Sequence, residues 1–457
     1  MPTDFGTKSC NGNASDSDIA ANFDDLHKPL NALQAVGAAD HCIYCYDAPC
    51  IQACPTSIDI PTFIHQIRTD NVLGAARTIL SENIMGGTCA RACPTEVLCE
   101  QACVYNHGDE DPVEIGLLQR YAVDHLMQTG GAHPFERDTE TGKRIAVVGA
   151  GPAGLSCAHR ASMLGHTVTV FEAKPKPGGL NEYGLAAYKM VDDFAQKEVD
   201  FLLGIGGIEI KYNQTLGENL SLQDLLEKFD AVFLSVGLGG TNKLGLDRES
   251  TGGVIDAIDF IETLRQTDNK AHLPIGSDII VIGGGNTAVD AAVQAKKLGA
   301  RMVTLVYRRG EDAMSATPYE VELARKNGVM VELWAKPAAI GGPATNNDED
   351  RVTSMTFERT KMLNGKLAGT GETFDIKADT VMKAIGQQLD IAPLKGFEIA
   401  GGKIAITAAF ATNISGVFAG GDCIDTGEDL TVQAVEDGKR AAHAINEYLT
   451  SEGPHNG

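Results

Sequence analysis

The chain has 457 residues, 43% of them hydrophobic, which is enough for about three ordinary domains with a sizeable core. Its 38 basic and 61 acidic residues leave a formal net charge of −23, which argues against nucleic acid or an anionic membrane surface as partner. The polar N-terminus lacks the apolar core of a signal peptide and no run approaches transmembrane length, so the reading is a soluble, cytoplasmic chain.

Residues 1–25 are rich in Asn, Asp, Ser and Gly and are predicted to form a poorly ordered arm. The next stretch holds Cys42, Cys45, Cys50 and Cys54, then Cys89, Cys93, Cys99 and Cys103. Disulfides are rare in the cytosol, so dense cysteine spacing reads as metal ligation. The first run, Cys42-x2-Cys45-x4-Cys50-x3-Cys54-Pro55, is similar to the bacterial ferredoxin run, in which the cysteine before proline serves the other cluster. The alternative is structural zinc, whose sites usually carry two close pairs of cysteines. Two four-iron cubanes need eight ligand positions, and a count from the residues alone fills them with the eight cysteines. Cys99 and Cys103 share a face if their stretch is helical. Helices are predicted over Ile60–Ile67, with Pro61 in the first turn, and over Glu114–Met127, with Ile115, Leu118, Ala122 and Leu126 on one face. Cys10, Cys157 and Cys423 read as ordinary buried or tail thiols.

From Arg144 the chain alternates strand and helix. The strand Arg144–Val148 enters Gly149-Ala150-Gly151-Pro152-Ala153-Gly154, a helix follows over Pro152–Leu164, and Glu172 ends the next strand, Thr167–Phe171. The glycines allow a tight turn and close approach to a pyrophosphate on the helix N-terminus, and the acid suits a ribose. The plan repeats with the strand Asp278–Ile282, then Gly283-Gly284-Gly285-Asn286-Thr287-Ala288, a helix to Leu298, and Met302–Tyr307. That second unit ends in Arg308 and Arg309 rather than in an acid. Arginines there can hold a 2′-phosphate, favouring NADPH, or merely cover the adenine, which permits NADH. Residues 341–351 read as an exposed loop and 451–457 as a polar tail. Near the C-terminus, Gly420-Gly421-Asp422 followed by a helix opening at Leu430-Thr431 resembles the segment that closes the flavin site of two-dinucleotide flavoproteins.

Taken together, the cysteine spacing, Gly149–Gly154, Gly283–Ala288 and Gly420–Asp422 resemble the small subunit of glutamate synthase and its relatives, over residues 42–449. Ile115-Gly116-Leu117-Leu118-Gln119 is further similar to a segment of dihydropyrimidine dehydrogenase in which glutamine replaces a cysteine ligand. Within the group, the chain resembles the flavin subunit of the bacterial NAD-dependent enzyme. The resemblance implies an α+β multidomain chain: a helical domain with two [4Fe–4S] clusters, then two Rossmann-like domains, the FAD domain split by the NAD(P)H domain. The corresponding bounds are an arm at 1–25, the cluster domain at 26–142, FAD segments at 143–254 and 370–450, the NAD(P)H domain at 255–369, and a tail at 451–457.

The resemblance also implies site residues. One cluster takes Cys42, Cys45, Cys50 and Cys103; the other takes Cys54, Cys93, Cys99 and Gln119, with Cys89 left free against the simpler count. Flavin contacts fall at Glu172, Lys174, Gly178, Gly179, Leu180, Lys189, Leu216, Gly421, Asp422 and Thr431. Nicotinamide contacts fall at Gly285, Asn286, Thr287, Ala288, Arg308, Arg309, Ala384, Ile385 and Gly386. Lys189 stands where relatives often carry arginine, which keeps the charge but loses the fork. The further arginine that NADPH enzymes place near Ser315 is absent and the bacterial relatives the chain most resembles use NADH, so the expectation leans to NADH. Hydride moves from NAD(P)H to FAD and electrons leave singly through the clusters, with no catalytic side chain required. Nothing in the chain corresponds to an FMN barrel for uracil or thymine reduction, so an FMN-containing partner subunit is implied. The competing readings are a glutaminase-type partner, as in glutamate synthase, a ferredoxin-linked NAD(P)H oxidoreductase, and a zinc-binding interaction module without redox activity.

Overall fold

In both fingerprint strands, Arg144–Val148 and Asp278–Ile282, every residue but the first is buried, the pattern of parallel strands covered on both faces. The first nucleates a five-stranded parallel sheet in the order Val417–Ala419, Ala231–Leu234, Arg144–Val148, Thr167–Phe171, Ile208–Lys211. The second does the same in the order Val254–Asp256, Thr380–Lys383, Asp278–Ile282, Met302–Val306, Met330–Glu332. In each sheet the fingerprint strand has its immediate successor on one side and a strand from much later in the chain on the other. That is the topological switch at which open α/β sheets bind ligands.

The computed structural model describes residues 15–108, 110–342 and 351–451, which form two compact units. One consists of residues up to 26, 183–191 and 240–388; the other of 27–182, 192–239 and 389 onward. The unit with the first sheet also holds the cysteine-bearing helices. Asp59 caps Ile60–Arg68 through the Thr62 N–H at 3.2 Å, with Pro61 in the first turn. Helices Val72–Glu82 and Ile115–Thr129 pack against it, Gly86–Ala92 packs against Ile115–Thr129, and Ile64, Ile79 and Leu118 join the apolar core that continues under the sheet. The other unit adds a three-stranded antiparallel sheet, Ala335–Gly341, Ser354–Leu363 and Lys366–Lys377. Among the described residues no helix is long and apolar enough to cross a membrane.

Three expectations need correction. The arm does not run to residue 25: Asp16–Asn22 is a helix whose Ser15 and Asp18 form a reciprocal capping box. Its Ile19 and Phe23 are 1% and 7% exposed because they share one helix face and complete the core around Ala291 and Leu264. Residues 1–14, and with them Cys10, lie outside the described residues, as do most of the 341–351 loop and the tail after 451. The second nucleotide unit extends over 240–388 rather than 255–369, since Thr380–Lys383 hydrogen-bonds as a central strand of its sheet. Finally, Cys99 and Cys103 do not share a helix face: turns lead into a short 3₁₀ segment at Val104–His107.

Candidate cofactor sites

Four thiols meet first. Cys42, Cys45, Cys50 and Cys103 line one recess, walled by Ile43, Ile60, Ile64, Val113 and Ile115. Burial raises the Cys42 thiol, with Cys45 and Cys103 adding to the rise, and pushes Cys50 up to about 11. Thiolates in such a place need a cation to hold them charged, which suits a cluster. The apolar walls suit it too, since burial tunes a cluster's potential.

The second group gathers around the helix Gly86–Ala92. Cys93 caps its C-terminus, and its thiol is raised by burial and then by Cys89, Cys99 and Cys54. Cys89 is 2% exposed, and burial raises its thiol likewise. Gln119 is 8% exposed and donates its Nε2 to the Gly86 carbonyl at 2.7 Å. That bond fixes the amide's orientation and leaves the carbonyl oxygen as the end able to face a metal.

At the first fingerprint the glycines have separate reasons. Gly149 sits at φ +102°, and a Cβ there would overlap the Ser235 carbonyl. At Gly154 a Cβ would overlap the Gly149 carbonyl oxygen and sit 2.6 Å from Ser235 Oγ. At Gly151 a Cβ would meet only the Gly179 Cα, at 3.8 Å. The fold therefore does not demand glycine at 151, whereas a pyrophosphate approaching the N-terminus of the helix Pro152–Met163 would. Gly178 and Gly179, at φ +118° and +54°, bring the following loop onto this turn, with Gly178 N–H donating to the Ala150 carbonyl at 2.7 Å. Glu172 accepts from Ala150 N–H and Lys174 N–H at 2.7 Å each. Burial holds its pKa above the ordinary carboxylate value, and those two bonds offset part of the rise.

The distant segment around Gly421 packs against Ala153, at the start of the helix that follows this turn. Gly421 N–H donates to Asp437 at 3.1 Å, and a Cβ on Gly421 would lie 2.9 Å from that of Ala153. Burial pushes Asp422 up to about 6, and among the described residues no group donates to its carboxylate. A ribityl hydroxyl would supply that donor. Thr431 opens the helix Thr431–Ser451 and donates to Asn181 at 3.0 Å. Leu180 is exposed and Leu216 partly buried in the same unit. Lys189 belongs to the other unit, where its ammonium lies 2.8 Å from Asp290 and 2.6 Å from Glu320.

The second fingerprint repeats the logic. Gly283 lies against the Ala384 carbonyl, so Ala384, Ile385 and Gly386 adjoin the turn. Gly285 caps Asn286–Lys297, with only Ser315 Oγ, at 3.2 Å, in the way of a Cβ. Ala288 is fully buried, and Asn286 accepts from Thr317 N–H at 3.3 Å. Among the described residues no hydrogen bond or ion pair engages the guanidinium of Arg308 or Arg309; their carbonyls accept from Thr360 Oγ1 and Trp334 N–H. These cations are free to meet a ligand.

Two family models account for most of the chain. Dihydropyrimidine dehydrogenase domain II, 4Fe-4S cluster, matches residues 19–131, and pyridine nucleotide-disulphide oxidoreductase matches 140–438. PreT of Escherichia coli K12, an NAD-dependent dihydropyrimidine dehydrogenase subunit, is 34% identical over 93% of this chain and 97% of its own. The chain belongs to this family. The NADPH glutamate synthase small chain of the same organism, also a member by likeness, is 31% identical over 93% of this chain and 94% of its own. Among solved structures, Mycobacterium tuberculosis FprA in complex with NADPH has a TM-score of 0.56 at 19% identity, covering 68% of this chain and 85% of FprA. Lactococcus lactis thioredoxin reductase gives 0.53 at 22%, covering 68% and 99%. Those two structures speak for the fold alone.

As a PreT-like family member the chain is an NAD(P)H-dependent flavin and iron–sulfur oxidoreductase that uses FAD, [4Fe–4S] clusters and NAD(P)H. The sequence reading overlooked Asn181, Glu198 and the Gly86-Gly87 pair. Asn181 is 1% exposed between the Thr431 hydroxyl and Met85. Glu198 is equally buried, its carboxyl pushed up to about 7 by burial. The one available signal was a glycine pair just ahead of Cys89, a sign of close backbone approach.

Proposed function

We propose that this chain is the electron-input subunit of a cytoplasmic dihydropyrimidine dehydrogenase, taking reducing equivalents from NADH and passing them to an FMN-containing partner subunit that reduces uracil or thymine. The observation that carries the reading is Gln119, a buried amide with its nitrogen committed to Gly86, on the short helix that carries Cys89 and ends at Cys93, and its oxygen available. FAD, when bound, accepts two electrons together and releases them singly.

The chain's own groups bind and orient. Gly149–Gly154, Glu172, Gly178, Gly179, Asp422 and Thr431 hold the flavin nucleotide. Gly283–Ala288, Ala384–Gly386, Arg308 and Arg309 hold the nicotinamide nucleotide. Cys42, Cys45, Cys50 and Cys103 hold one cluster; Cys54, Cys93, Cys99 and Gln119 hold the other. No side chain is asked to move a proton.

One observation favours a second reading. The uncommitted Arg308 and Arg309 suit a 2′-phosphate, and hence an NADPH-dependent partner assembly such as glutamate synthase. Anaerobic purification of the native complex separates the two. An FMN-bearing subunit and uracil reduction driven by NADH over NADPH support the first. A glutaminase-type subunit with NADPH preference overturns it.

A further inference from the structure

Glu198 lies on the helix Phe194–Leu203 of the flavin-binding fold, 1% exposed. Its carboxylate reaches into the cluster-bearing helices. One oxygen accepts from Gly87 N–H at 2.8 Å and Thr88 N–H at 3.0 Å, and the other from the Thr88 hydroxyl. The approach is close enough to forbid a side chain at 87: a Cβ there would sit 2.8 Å from the Glu198 oxygen and 2.9 Å from Phe194 Cε1. Burying a carboxylate is costly unless it is hydrogen-bonded and paired, and three donors with Arg91 nearby meet that condition.

The same short helix presents the Gly86 carbonyl to Gln119 Nε2 at 2.7 Å. Arg91 closes the circuit. It donates to the Gly87 carbonyl at 3.0 Å, lies over the Phe194 ring at 3.5 Å, and grips both oxygens of Asp124 at 2.8 Å, on the helix that carries Gln119. We propose that Glu198 is a positioning residue for the second cluster: it locks the first turn of Gly86–Ala92 to the flavin fold, and so sets the orientation of the Gln119 amide. This rests on the reading of Gln119 as an iron ligand.

The test uses the full-length, cluster-loaded protein, with the electron paramagnetic resonance signals of the two reduced clusters and iron loss to a chelator as readouts. Gln119→Ala first assigns the signal that belongs to the second cluster. Glu198→Ala is expected to alter that signal alone and to speed loss of that cluster's iron about tenfold, as removing a ligand's supporting partner does. Glu198→Gln, which keeps an acceptor oxygen for Gly87 and Thr88, is expected to restore most of the parent signal. Thr88→Val, which deletes one of the three bonds, gives a smaller change in the same direction and serves if Glu198→Ala does not fold. If Gln119→Ala moves a signal and neither Glu198→Ala nor Thr88→Val does, the positioning role is wrong and the ligand reading stands. If Gln119→Ala moves neither signal, the ligand reading fails and the proposal falls with it.

Discussion

Gly151 and Gly154 stand three residues apart in one fingerprint and should fail in different ways when each becomes alanine. Gly151 has φ −79° and ψ −177°, extended backbone that any residue adopts, and a methyl there finds its nearest neighbour at 3.8 Å. The flavin-free fold should therefore tolerate Gly151→Ala, or gain about 0.4–1 kcal/mol from a less flexible unfolded chain. The methyl instead occupies the approach of the pyrophosphate. An overpacking cost of about 1–3 kcal/mol at that contact weakens FAD binding roughly 5- to 150-fold. Gly154→Ala drives a methyl onto the Gly149 carbonyl, 3.1 Å from its carbon and 2.6 Å from Ser235 Oγ, where backbone has no room to yield. The flavin-free fold itself then loses about 1–3 kcal/mol or more. Thermal unfolding of both apoproteins and titration with FAD, followed by flavin fluorescence, separate the two effects. Gly151→Ala binding FAD within about twofold of the parent would refute the reasoning. So would an apoprotein stability loss matching that of Gly154→Ala.

Cys42→Ser is expected to lower bound iron from about eight to about four per chain while Cys89→Ser leaves it at about eight, as measured by iron analysis; the reverse result would make Cys89 a ligand. Asp422, lifted to about 6 by burial, has a folded pKa above its unfolded value, so its stabilising contribution is present below about pH 4 and lost as pH rises through about 6. Asp422→Asn should thus gain stability relative to the parent apoprotein between pH 4 and 7, by at most about 3 kcal/mol in urea unfolding; parallel curves for the two proteins would contradict it. Ile19, 1% exposed, should cost about 2–4 kcal/mol when cut to alanine, and a change below about 0.5 kcal/mol would mean that Asp16–Asn22 is not docked in solution.

Local chemistry was enough to place much of this molecule. Strands such as Arg144–Val148 and Asp278–Ile282 are continuous apolar runs, and glycine turns that need φ +102° at Gly149 or +156° at Gly283 leave few other uses for their residues. Those signals are legible because they depend on neighbours a few residues away. The capping box of Ser15 and Asp18 was equally local, yet a polar composition masked it, and only docking against Ala291 and Leu264 makes that helix worth forming.

Everything set by distant pairing required the tertiary structure. Cys103 joins the recess of Cys42, Cys45 and Cys50 across some fifty residues of helix and turn, and Thr380–Lys383 enters the sheet of Asp278–Ile282 a hundred residues after it. Nothing in the spacing of Glu198 announces that it reaches Gly87, because that contact depends on how two helices pack. Sequence determined the inventory of turns, strands and donor atoms, since each is fixed by short-range sterics and period. Tertiary packing decided which of them share a site, since burial and hydrogen bonding act between residues that only the fold brings together.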